Sequence, residues 1–586
     1  MLSLVIATAL SCRAQSTAED GTRAAATQEP GTVATETIVV ASKETVQVVT
    51  TSTPTSIPDG GTVRRATFVD AQTANPVWAA DAGSLALCEL MFEGLLRKDP
   101  FTGEWLPNLA QSWEIAEGGT TYTFTLRHDL FWSDGHPITT RDMDFTYRAL
   151  RSVEVDSPNR AHVAHIERID VLDDYTVEVT FSEPGCTHLD AMRFGWLPMH
   201  VFTEDAETYP WQEMVHHEFN NSPTVVSGPF ILQDWVRGEG WVLTRNDRYW
   251  RGQPHLEGIV TQVVSGQDEM VELLAEGLLD IGSRLDPFYL AEVEASPDLR
   301  IWKFLSDEYD LLGFQMGDPT QPRARLSKNG QLDTQHGKHP ALSDRRVRQA
   351  IVHALDRQEL VDKVRHGEAI LLHANVLPTI SWAYNTSLEP RAHDLAEANR
   401  LLDEAGWPRN AVTGVRARDG RPLRLKLYTN AGNAVRAQMA TLIHEQLAEV
   451  GVEIDVIALD WYAFLDVLYG QTFDLVLVNW ANLGTDPDDR HLWLAEHDLP
   501  GQGSNFVSYY NPDVEDLFEQ VSEVPDCDQD ARAELYNLVQ AELYEDQPYC
   551  WLDVPRRLLV ISDRVGGVNP GPWNLWYNVH EWYVEQ

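Results

Sequence analysis

The chain has 586 residues, with 45 Lys and Arg against 89 Asp and Glu, giving a formal net charge of −44 at neutral pH. So acidic a chain disfavours nucleic acid and anionic lipid as electrostatic partners. It is longer than one compact core usually serves, so two or more domains are expected, and 19 Trp supply ample bulk to bury.

In chain order, Leu2 to Leu10 is an apolar run ending at Ser11-Cys12. It is too short to span a bilayer. It reads as the tail of a secretory signal closing on a lipobox, with Cys12 as the lipid-bearing residue. Residues 13–60 are rich in Thr, Ala, Ser, Glu and Val and poor in aromatics, the composition of a disordered tether. The spacing of Cys88, Cys186, Cys527 and Cys550 prescribes no disulfide pairing. No Cys-x-x-Cys occurs, which argues against a cysteine zinc knuckle.

Gly61 to Val69 reads as a first strand, Asn75 to Trp78 as a loop, and Ala80 to Phe92 as an apolar helix. Beyond it, Tyr122, Phe124 and Leu126 alternate with threonines, the pattern of a half-buried strand. Glu117-Gly118-Gly119 and Ser133-Asp134-Gly135-His136-Pro137 read as turns. Thr139 suits a helix N-cap with Asp142 three residues on.

The order of these pieces resembles the peptide/nickel/opine class of solute-binding proteins, family 5, the extracytoplasmic receptors of ABC importers. The matching residues are Glu93-Gly94-Leu95; Pro107, Leu109, Ala110 and Ser112-Trp113-Glu114; Tyr122, Phe124 and Leu126-Arg127; and Trp132, Asp134-Gly135, Pro137, Thr139 and Asp142. A second block runs Gly228-Pro229-Phe230, Trp235, Leu243, Arg245-Asn246, Tyr249-Trp250 and Pro254. A third runs from Leu342-Ser343-Asp344 through Arg348 to Asp356-Arg357 and Gly367, where Ser343 suits an N-cap and the charged residues read as an ion-pair network on a structural helix.

The resemblance implies an α/β fold of two lobes, periplasmic-binding-protein-like and of the class II type, with an extra subdomain in lobe one and a hinge of two crossing segments. Lobe one is expected over residues 61–308, with the inserted subdomain at about 100–225. Lobe two is expected over 309–555, and residues 556–586 return to lobe one. From Leu423 to Val478 the βαβ alternation reads as a mostly parallel sheet flanked by helices.

The sequence carries no phosphate-binding Gly-x-x-x-x-Gly-Lys, no Rossmann fingerprint and no Gly-x-Ser-x-Gly elbow. His216-His217-Glu218 reads as a surface pair, because adjacent side chains point apart. Asp486, Asp488 and Asp489 invite comparison with glycosidase carboxylates, but Asp486-Pro487-Asp488 reads as a turn. No enzyme activity, cofactor or metal is expected. The implied partners are a peptide or small-molecule ligand, ABC permease subunits and, through Cys12, the outer face of the cytoplasmic membrane; the receptor itself is expected as a monomer. The alternatives are an oligosaccharide receptor of the same family and a secreted hydrolase.

The resemblance also locates a ligand clamp, and there this chain departs from the peptide-binding pattern. In that pattern an Asp shortly after a Trp holds the peptide ammonium, and in dipeptide receptors an Arg after an earlier strand holds the carboxylate. The Trp matches Trp480, but Leu483 stands at the Asp position and Asn430 at the Arg position. The set that remains is Asn430, Asn433, Trp480 and Asn482, with Trp78 and Trp382 from other loops, and Asp486 as the acid that would replace the missing one. Amides and flat apolar faces suit neutral polar groups.

Overall fold

The structure, a computed structural model, describes residues 57–481 and 484–585. The chain divides into two units at Ile57/Pro58, and the second unit holds every element of the fold. Cys12, most of the expected tether, Asn482 and Leu483 lie outside the described residues.

The main strands are β1 (Thr62–Thr67), β2 (Ala110–Ile115), β3 (Thr121–Leu126), β4 (Ile166–Asp173), β5 (Thr176–Phe181), β6 (Phe230–Val236), β7 (Gly240–Arg245) and β8 (Gly258–Val263). They continue as β9 (Ile281–Ser283), β10 (Leu299–Leu305), β11 (Tyr309–Phe314), β12 (Ala369–Leu371), β13 (Arg424–Asn430), β14 (Glu453–Leu459), β15 (Leu475–Trp480) and β16 (Tyr549–Ser562). One sheet runs β16-β9-β1-β8-β7-β6, with β10 also on β16. A separate antiparallel sheet, β2-β3-β5-β4, is inserted after the first strand. In β3 and β5 the buried residues alternate with half-exposed ones, so one face of this sheet is covered.

The other lobe is built on β14-β13-β15-β11-β16, with β12 also pairing β16. β13 is parallel to both β14 and β15, whereas β15-β11 and β11-β16 are antiparallel. The stretch from Leu423 to Val478 is thus parallel as expected, and the sheet as a whole is mixed because β11 and β16 join it antiparallel. Its central strands are covered on both faces. Leu475 and Leu477 of β15 point into one core, and Val476 and Val478 into another.

β16 belongs to both large sheets. Tyr549 to Asp553 pairs with β11, and Arg556 to Ser562 pairs with β10. The changeover falls at Val554-Pro555. The other crossing is the short link Ser306–Glu308 between β10 and β11. These two segments are the hinge of a two-lobed α/β fold.

Helices α1 (Ala82–Cys88), α2 (Thr140–Arg151), α3 (Arg345–Ala354), α4 (Arg357–Val364), α5 (Ala434–Glu449), α6 (Pro512–Ser522) and α7 (Gln529–Asp546) cover the sheets. The expected helix over Ala80 to Phe92 shortens to α1, since Asp81 caps its start and Glu89 ends it. Thr139 and Asp142 form the expected capping box of α2. Asp344, not Ser343, caps α3, while the Ser343 hydroxyl donates to the His339 carbonyl at 2.7 Å. Arg348 and Arg357 are not members of an ion-pair network. Both are buried and donate to main-chain carbonyls: Arg348 to Leu342 and Gln547, Arg357 to Leu372 and Trp551. Asp356 caps α4, accepting from the Glu359 N–H at 3.0 Å.

Candidate ligand cleft

β15 ends at Trp480, which packs against the core of its own lobe. The Trp480 indole is half-buried, stacked on Phe506 with ring centroids 5.6 Å apart and edge-on to His491. Beyond the undescribed pair, Thr485 and Asp486 continue the wall. Asp486 is held by Arg532 of α7 at 2.8 Å and accepts from the Tyr536 hydroxyl at 3.3 Å. Arg532 and Tyr536 are four residues apart, so they share one helix face. The Arg532 guanidinium lies 5.3 Å over the Trp382 ring, and Trp382 meets Tyr536 edge-on. Trp382 and Asp486 are thus brought together, through an Arg and a Tyr that sequence reasoning missed. Burial raises the Asp486 carboxyl above its ordinary value, against the pull of Arg532.

Lobe one meets this wall through the hairpin Leu96–Lys98/Trp105–Pro107. The Lys98 ammonium donates to the Thr485 hydroxyl at 2.9 Å and pairs with Asp190 at 3.7 Å. It also sits over the Trp105 and Trp573 rings. Burial lowers its pKa. A cavity of about 280 Å³ opens behind the hairpin, lined among others by Arg97, Lys98, Arg193, Trp105, Trp573 and Tyr577. The signal for this side was the C-terminal run Trp573-Asn574-Leu575-Trp576-Tyr577, an aromatic cluster read only as a returning segment.

The two candidate amides lie elsewhere, around Arg436. Asn433 caps α5, accepting from the Arg436 N–H at 3.0 Å. Asn430 accepts from the Arg436 guanidinium, which also donates to Asn479 and faces Asp310 at 3.8 Å. Asn479 in turn donates to Glu308 at 3.1 Å. Arg365 lies between Asp310 and Asp553, 3.1 Å from the latter. Three carboxyls and two guanidiniums are therefore packed at the hinge. Burial raises all three acids, Asp553 to about 7.

Trp78 is apart from both groups. Its indole N–H donates to the Val155 carbonyl at 3.2 Å, beside an open cavity shared with Thr73, His216 and Asn220. His216 is exposed, and His217 turns away to accept from the Phe219 N–H.

The acids after β15 do not face one another. Asp488 is held by Arg490 and Asp489 by Asn375, as Asp486 is by Arg532. Burial raises Asp489 to about 7. One group, Asp134, His136 and His200, has metal-ligand chemistry. Both imidazoles contact the same Asp134 oxygen, at 3.0 and 2.8 Å, and their rings stack at 4.0 Å with planes 21° apart. Near-parallel rings do not aim two lone pairs at one ion, so the group reads as a hydrogen-bonded surface triad.

Two α/β lobes joined by two crossings, with an aromatic and polar wall between them, define a ligand-enclosing binding protein. Comparison with known proteins agrees. The model of the bacterial extracellular solute-binding proteins, family 5 Middle, matches residues 104–497. The oligopeptide-binding protein AppA of Bacillus subtilis is 25% identical over 518 residues, covering 87% of this chain and 89% of that one. Protein XP55 of Streptomyces lividans is 29% identical over 480 residues, covering 82% and 81%. Among solved structures, AppA in complex with a nonapeptide aligns at a TM-score of 0.68, with 22% identity, over 91% of this chain and 100% of that chain. The substrate-binding protein CtaP of Listeria monocytogenes aligns at 0.74, with 23% identity, over 90% and 100%. The chain belongs to the family 5 extracellular solute-binding proteins. It is the substrate-binding component of an ABC importer.

Proposed function

We propose that this receptor encloses a neutral or internally charge-paired segment of a longer peptide and hands it to membrane permease subunits. The observation that carries this reading is the pairing along the cleft wall. Asp486 is taken by Arg532 and Lys98 by Asp190. Buried charge needs a charged partner, and these have theirs within the protein. A free dipeptide, with both termini charged, then finds less to bind than the backbone and side chains of an oligopeptide. The relative AppA, seen with a nonapeptide, supports the longer ligand. The flat faces of Trp382 and Trp480 favour one second reading, an oligosaccharide.

The finer organisation follows the same reading: lobe one of residues 61–308 and 556–586, lobe two of 309–555, a monomer anchored by lipid at Cys12 on the outer face of the membrane, and no turnover of the bound solute. Calorimetry under reducing conditions with a panel of dipeptides, longer peptides and oligosaccharides tests the ligand. Tighter binding of the longer peptides is expected. Submicromolar binding of a simple dipeptide, lost when its amine is blocked, would overturn the reading.

A further inference from the structure

Cys186 and Cys527 are joined by a disulfide, 341 residues apart in sequence and 5.5 Å apart at their Cα atoms. The partners sit on different lobes. Cys186 follows β5 of the inserted sheet, in a loop tied down on both sides: the Tyr122 hydroxyl donates to the Gly185 carbonyl, and His188 bonds the Glu183 carbonyl and stacks on Phe181. Cys527 lies in the turn between α6 and α7. Those helices bury Phe518, Val521, Tyr536, Val539 and Leu543 in the core of the other lobe. The bond is thus a third covalent tie between the lobes, besides the two backbone crossings.

Its position matters. α7 has 18 residues, so its ends are about 27 Å apart. One end feeds the chain into β16 and its crossing; the other begins at Cys527. The other contacts across this face include a single hydrogen bond and van der Waals packing, neither of which is covalent. Lys98 donates to Thr485, and Gly103 packs so closely that a Cβ there would run into the Thr485 methyl. A disulfide is different. It requires its Cα atoms within about 7 Å, so any opening that separates these loops by a few ångströms is forbidden while the bond is intact.

We propose that the Cys186–Cys527 disulfide is a redox latch on the cleft: the oxidised receptor is confined to the closed arrangement, and solute enters or leaves after reduction. The co-reactant is a dithiol reductant of the thioredoxin class. Its thiolate attacks one sulfur of the pair and displaces the other as a thiolate, which takes up a proton. Its second thiol then attacks the mixed disulfide, releasing the remaining cysteine and leaving the reductant oxidised, so two electrons pass to the receptor. Both cysteines are half-buried rather than sealed, so an attacking thiol has access. Cys88 and Cys550 are buried free thiols, so among the described residues the reductant has this one bond to act on.

Small-angle scattering of the ligand-free protein tests the latch without reference to any solute, and so apart from the peptide reading. The oxidised protein should keep a compact radius of gyration of about 24 Å. Reduction by a phosphine, or C186S or C527S, should raise it by about 1 Å through hinge opening. The phosphine arm needs no substitution, so a variant that fails to fold does not blunt the test. An unchanged radius after reduction would overturn the proposal, as would non-reducing peptide mapping that finds Cys186 and Cys527 as separate thiols.

Discussion

The hinge and the cleft wall hold buried charge in different proportions. At the hinge, Asp310 and Asp553 share Arg365, Arg436 faces Asp310, and Glu308 accepts from the Asn479 amide. At the wall, Asp486 has Arg532 to itself. A one-to-one pair leaves each charge its own partner, whereas at the hinge two buried acids, Asp310 and Asp553, share the Arg365 guanidinium. Burial raises both acids, Asp553 to about 7, so a proton can reside at the crossing segments near neutral pH. The wall, by contrast, carries a balanced pair, and it is the surface proposed above to sort the solute.

The strongest way to break this comparison is to remove the shared cation. Arg365→Met leaves buried Asp553 with no cation and Asp310 with Arg436 alone, and a loss of about 3–5 kcal/mol in urea unfolding is expected. A loss below about 1 kcal/mol would mean that solvent already screens the cluster. Arg532→Ala should cost less, about 2–3 kcal/mol, since it strands a single acid that keeps the Tyr536 hydroxyl. The same variant should weaken peptide binding by calorimetry if the wall is the sorting surface; unchanged affinity would place the ligand elsewhere.

Asp489 sharpens the comparison from the other side, because its side chain is met by the Asn375 amide and by no cation. Its folded pKa of about 7 lies above the ordinary carboxyl value. The native state therefore binds a proton that the unfolded chain has released, and its stabilising contribution is full in acid and lost as pH rises through about 7. Asp489→Asn should shrink the drop in urea midpoint between pH 5 and pH 8. An identical drop in both proteins would show that Asp489 does not titrate in this window. The smallest effect belongs to Gly103→Ala, which puts a Cβ on a residue at φ +72° against Thr485. About 1 kcal/mol of stability should be lost, read as a lowered melting temperature.

Much of the fold was legible because local chemistry and tertiary role coincide. The alternation in Thr121–Leu126 and Thr176–Phe181 marks strands with one covered face, and Thr139 with Asp142 writes its own cap. Where they diverge, reading failed. Arg348 and Arg357 look like ion-pair residues, yet they serve carbonyls left over at helix and strand ends, which sequence does not display. The mixed sheet was missed because β11 and β16 join it from distant parts of the chain. At the candidate cleft the sequence pointed to Trp382 and Asp486, which the fold brings together, and not to their neighbours Arg532 and Tyr536 or to Lys98 and Trp573 across from them. They assemble only when a hairpin, a late helix and the C-terminal return meet. The same holds for Cys186 and Cys527, whose pairing no spacing prescribes.

The strand β16 fixes when this protein can finish folding. It supplies a partner to β9 and β10 on one side and to β11 and β12 on the other. Neither large sheet has its full set of strands until synthesis has passed Ser562, near the very end of the chain. Until then the nascent protein carries open strand edges in both halves and no route to seal either alone. A receptor destined for the far side of a membrane gains from that order of assembly, since a chain that cannot close early stays threadable until it has been carried across.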